Sequence, residues 1–284
     1  MSSVLVLVLA AAVAAADPLA APLAEQAAAG WVVRDRVVRG GKPFPLAAVV
    51  LGREDAPGNR LEVYALLKDR AYMIWTHPGS GERLDLDAGP VGRSMPDLLG
   101  DGSRVIAYRS TVPALNATTL RLLAARGLKI EPAGTFPEGR FLTADGKTLV
   151  AARDLPLGRF LSVGCEEFGT TSQSAFKTTL HAPRKGRFVE VSASYPDFYA
   201  AEIARKEAAL ARMKDDLEKH AGEYLGLALS LYFDYAARGE ARRGWERQAE
   251  FFRVPAYAPP SVKACFSTMR ADLRSRLRIP ADWP

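Results

Sequence analysis

Three histidines, two cysteines and a few adjacent acids are the side chains with most chemistry to offer. His77 ends an apolar run just before Pro78, His181 lies inside another, and His220 lies inside a helical pattern. No HExxH, P-loop, GxGxxG or GxSxG spacing accompanies them. Glu166 and Glu167, beside Cys165, form a carboxylate pair able to do acid–base work, with His181 as a third group. A loop acid pair of this kind is more often simply solvated. Cys165 and Cys265 are an even pair without CxxC spacing. In an oxidising compartment they are candidates for a disulfide. It would close a loop of about 100 residues and add several kcal/mol on the chain-entropy account. Two buried free thiols are the other outcome. Arg270, Arg274 and Arg278 recur every fourth residue, so one helical stripe offers either an anion-facing surface or a solvated face.

These groups must be positioned by the elements around them. Val4 to Ala16 is an apolar run too short to span a bilayer comfortably, with Ala14 and Ala16 before Asp17 in a cleavage-site arrangement. It predicts a secretory signal over residues 1–16, although Met1-Ser2-Ser3 lacks the usual basic residue. No later segment has the length and apolarity of a membrane span. Pro18 to Ala29 reads as a short helix stopped by Gly30, and Trp31 to Val38 as an alternating strand. Leu46 to Leu51 is continuously apolar, the pattern of a strand buried on both faces.

A repeat follows. Leu61 to Pro78, Leu120 to Pro137 and Thr179 to Pro196 each show two apolar runs across a short break, closing on an aromatic residue or His before Pro. A glycine turn and an apolar strand precede each copy: Gly41 before Leu46, Asp101-Gly102 before Arg104, Asp145-Gly146 before Lys147. The turns are less evenly spaced than the hairpins, because the third unit carries a longer loop. From Pro196 onward the periodicity becomes helical: Phe198 to Leu217 with Asp197 as N-cap, Glu218 to Ala237, Glu240 to Arg253, and a last helix capped by Ser261. The aromatic set Tyr224, Tyr232, Tyr235, Trp245, Phe251 and Phe252 reads as its core.

The segments GWVVRDRVVRGGKPFPLAAVVL, PDLLGDGSRVIAYRS and GRFLTADGKTLVAARD resemble bacterial FG-GAP (VCBS-type) repeats, which are related to the blades of the integrin-alpha β-propeller. RFVEVSASYPDFYAAEIARKE resembles what commonly follows the last such repeat in secreted bacterial proteins. The resemblance implies a calcium loop of the form DxDxDG, here eroded to Asp97 and Asp101 in one unit and Asp145 in the next. Calcium takes six to eight oxygens, so this remnant favours a structural turn over an ion site. Closed propellers need about four to eight blades. Three units instead imply a partial or degenerate propeller whose sheet edges need covering.

The expected fold class is therefore α+β. A signal peptide at 1–16 precedes a helix and first strand at 17–40. An antiparallel β-repeat domain of three degenerate, propeller-like units at 41–196 precedes a helical region at 197–284. A chain of 284 residues with net charge +6, 48% hydrophobic and 25% charged, is of ordinary globular composition. Its Lys and Arg are scattered, which together with export disfavours nucleic-acid binding. Two functions stay open. One is an exported non-enzymatic binding or scaffold protein, periplasmic or secreted, whose β-repeat surface meets a protein or an envelope polymer. The other is an envelope hydrolase acting on glycan or peptide through Glu166, Glu167 or His181.

Overall fold

The computed structural model describes residues 17–54, 58–87, 89–156, 175–213, 217–251 and 260–284. The expected signal segment, Cys165, Glu166, Glu167 and Phe252 lie outside the described residues, as do the side chains of His220 and Cys265. After helix α1 (Ala20–Ala28) come twelve strands in three four-stranded antiparallel sheets, then helices, an α+β architecture without a closed barrel. Each sheet is an up-and-down meander. The first is β1 (Val32–Arg39), β2 (Leu46–Gly52), β3 (Asn59–Leu67) and β4 (Arg70–His77). The second is β5 (Arg83–Leu86), β6 (Arg104–Val112), β7 (Ala117–Arg126) and β8 (Lys129–Pro137), with helix α2 (Pro90–Ser94) between β5 and β6. The third is β9 (Arg140–Ala144), β10 (Lys147–Asp154), β11 (Lys177–Arg184) and β12 (Arg187–Glu190). In every sheet the strand after a glycine turn is the second, and the hairpin supplies the third and fourth. The helices α3 (Pro196–Met213), α4 (Leu217–Ala237), α5 (Ala241–Phe251) and α6 (Pro260–Arg276) complete the described chain.

Two turns show why the sequence folds this way. Asp145-Gly146 joins β9 to β10 with φ of 50° and 69°, and Lys185-Gly186 joins β11 to β12 with φ of 49° and 78°. A two-residue hairpin with both φ positive matches the right-handed strand twist. The helices α3 and α6, expected to be capped by Asp197 and Ser261, instead begin at Pro196 and Pro260, one residue before each expected cap. Proline's fixed φ and missing N–H suit the first helical position.

The chain divides into two compact units. One comprises Met1–Asp97, Gly102–Asn116 and Leu122–Pro132; the other comprises Leu98–Asp101, Ala117–Arg121 and Ala133–Pro284. In the first, every residue of β2 is buried, because alternate side chains feed two clusters. Leu46, Ala48 and Val50 pack with Leu84, Ile106 and Leu123; Ala47, Val49 and Leu51 pack with Leu19 and Tyr64 beneath α1. That double burial produces a continuous apolar run instead of alternation. In the second unit, Leu149, Ala151 and Leu180 of the third sheet pack on Tyr199 of α3. Trp245, Leu229, Met269 and Leu273 form a separate helical core. Tyr224, Tyr232, Tyr235 and Trp245 are buried there, and Phe251 is partly so.

Candidate functional site

The edge strand β4 carries the most distinctive surface. Opposite it, Ala65, Val63 and Leu61 of β3 alternate on one face, and their partners are Tyr72, Trp75 and His77. Strict alternation could not place residues 72, 75 and 77 on one face. A β-bulge, with Ile74 as the extra residue between the pairs Tyr64–Met73 and Val63–Trp75, resets the phase. The result is a line of three rings along the edge of a sheet. Tyr72 is 47% exposed and neighbouring Met73 53%. Trp75 and His77 are half-buried and stacked, centroids 6.1 Å apart at 9°. Tyr108 of β6 backs both rings, at 6.3 Å from Trp75 and 5.9 Å from His77.

Polar groups collect at one end of this line. His77 Nε2 lies 3.3 Å from Glu82 Oε2, which also accepts a 2.5 Å hydrogen bond from the Ser110 hydroxyl. Arg83 pairs with Asp85 at 3.0 Å, and Arg109 with the buried Asp87 at 3.1 Å. Serine, carboxylate and histidine together invite a comparison with hydrolytic triads, but the order is wrong: the carboxylate, not the imidazole, touches the hydroxyl. Ser110 is moreover only 2% exposed, so it cannot meet a substrate. What this group does is hold His77 and Glu82 still beside the ring line. Trp75 packs its inner side against the core cluster of Leu61, Val63 and Ala65, and Tyr72 and Met73 are the most exposed side chains of the line.

His181 lies on β11, its Nε2 3.0 Å from the buried Thr179 hydroxyl and its ring 5.0 Å from Phe136. Burial pushes its pKa down, against the pull of Glu190 and Asp154, which favours a neutral ring. Asp97 accepts a 2.9 Å hydrogen bond from the Gly102 N–H, closing the loop before β6. Asp145 occupies the first position of the two-residue turn between β9 and β10. Among the described residues no three His, Cys, Asp or Glu side chains gather as a metal site. Arg270 and Arg278 are exposed on and just after α6. Arg274 donates to the carbonyls of Pro280, Ala281, Trp283 and Pro284.

Two buried charge clusters escaped sequence reading. Glu62, almost fully buried on β3, pairs with Arg60 at 2.9 Å and accepts a hydrogen bond from the Tyr64 hydroxyl. Burial and the Glu62 charge push the Tyr64 pKa well up. Arg60 also donates to Gln26 of α1 and lies 4.3 Å over Trp31. The signal was the period-2 spacing of Arg60, Glu62 and Tyr64, which sets all three on one strand face. The other cluster is Lys206 with Asp234. Lys206 stands on the buried stripe Tyr199, Ile203, Lys206, Leu210 of α3, a charged residue at an apolar position. Compared with models of known families, with characterised proteins and with solved structures, the chain matches none.

Proposed function

We propose that this chain is an exported binding protein of the cell envelope that recognises an envelope polymer, a glycan strand, along the ring line of Tyr72, Trp75 and His77. The observation that carries this reading is the bulge in β4, which brings three rings to one face beside a fixed carboxylate. Sugar rings offer flat C–H faces to such rings and hydroxyls to Glu82 and Asp85. The residue 4–16 run supports export. Three successive four-stranded meanders support descent from FG-GAP-type blades. The test is co-sedimentation of purified residues 17–284 with insoluble envelope glycan. The wild-type chain is retained, and Trp75→Ala lowers affinity about tenfold, the worth of one stacked ring. Wild-type retention no greater than that of an unrelated basic protein rules out the glycan. Capture of a protein partner that is sensitive to Met73 instead would assign the edge to protein recognition.

A further inference from the structure

Lys206 and Asp234 are both 0% exposed, and Lys206 Nζ stands 2.5 Å from Asp234 Oδ2. Two helices deliver them. Lys206 takes a core position on α3, and Asp234 lies on α4 between the buried Phe233 and Tyr235. As a charged pair they are badly provided for. A buried ion pair is tolerable only when further hydrogen bonds satisfy its remaining lone pairs and protons. Among the described residues, neither oxygen of Asp234 accepts an aligned hydrogen bond, although Nζ is at contact distance. Besides Asp234, Nζ has the Ser230 carbonyl at 3.5 Å and the face of the Phe176 ring at 4.6 Å.

Burial acts on both groups in the same sense. It pushes the Asp234 carboxyl up, to about 6, and the Lys206 ammonium down. Moving one proton from nitrogen to oxygen removes both charges and leaves a free amine against a carboxylic acid. Those are the two partners of amide formation, held by packed helices with no bulk water between them. Such preorganisation is worth many orders of magnitude over the same groups in solution.

We propose that Lys206 and Asp234 join in an intramolecular isopeptide bond. The lone pair of Lys206 Nζ attacks Asp234 Cγ, forming a C–N bond. The Cγ–OH bond then breaks, and the hydroxyl leaves with a proton from the nitrogen as one water molecule. Nothing is oxidised or reduced, and no co-reactant is consumed. The neutral amide replaces two ill-satisfied charges and staples α3 to α4.

The decisive measurement is the mass of the purified wild-type chain, reduced and unfolded, counted from its measured N-terminus. The expected mass is one water below that of the sequence. A tryptic digest then yields one branched peptide joining the segments of Lys206 and Asp234, with no cleavage after Lys206. Lys206→Met gives the full sequence mass. Asp234→Asn, which would lose ammonia instead of water, converges on the wild-type product. An unmodified wild-type mass, or a water loss mapped to any other residue, overturns the proposal. Neither result depends on the variants folding.

Discussion

At the scale of single residues, His181 gives the clearest consequence of burial. Unfolded, its imidazole titrates near the ordinary value of about 6.5. Folded, packing against Phe136 and removal from water hold the pKa lower; Glu190 and Asp154 oppose the shift and Lys177 adds to it. As pH falls, the unfolded chain therefore takes up this proton before the native chain does. Stability is lost from about pH 6.5 downward, until the native ring also protonates. Thermal melts between pH 7.5 and 5 should show a falling midpoint. His181→Phe, which keeps the aromatic contact and drops the titration, should flatten the slope in that window. An unchanged slope would place the acid sensitivity elsewhere. His181 was legible in the sequence as a histidine in a strand. Its neighbour Thr179, two residues away on the same strand, could be read from the period-2 spacing, whereas Phe136 could not, because it comes from a different sheet. Lys206 was overlooked for another reason. Lysine at a core position reads as an interruption of the apolar stripe until the facing Asp234 is seen.

At the scale of elements, glycine turns were the most readable feature, and they differ in what they demand. Gly146 has φ of +69°, and a Cβ there would meet nothing within 4 Å, so a side chain costs only backbone strain. Gly79 has φ of +58°, and a Cβ there would fall 1.5 Å from the Asn59 carbonyl oxygen, a collision with backbone. Gly146→Ala should cost about 1–2 kcal/mol, the price of a left-handed L-residue. Gly79→Ala should cost clearly more, because β3 must move at Asn59. Paired urea titrations of the two variants check the order, and equal losses would show that the loop around Gly79 yields freely. The second and third strands and all three hairpins were legible from turn chemistry and apolar runs. The bulge in β4 was not. Its cause is the phase of β3 opposite, and one strand's sequence holds no record of its neighbour's register.

At the scale of the whole molecule, the four-stranded sheets do not coincide with the compact units. The division crosses β7 and β8 internally, at Arg121–Leu122 and Pro132–Ala133. Leu123 and Ala125 of β7, with Ile130 of β8, pack in the same cluster as Leu46, Leu61 and Ile106. Further along, Phe136 of β8 sits against His181 and Phe188. Sequence periodicity could not foresee this, since it marks where strands lie and not which core each end of a strand enters. A chain ending at Asn116, cut at the connection between β6 and β7, would lose Leu123, Ala125 and Ile130 and leave β6 as a bare edge. Losing one such leucine already costs about 2–5 kcal/mol, comparable with the whole stability of a small domain. A chain ending at Pro137 keeps the four-stranded sheet and forfeits the surroundings of Phe136 and the two hydrogen bonds between Thr118 and Glu138. Residues 17–137 should therefore unfold cooperatively in urea and elute as a monomer, whereas residues 17–116 should show no cooperative transition and should associate through the open strand. Equal cooperativity in the two would mean that β1 to β6 make a sufficient core alone, and that β7 and β8 belong energetically with the third sheet and the helices.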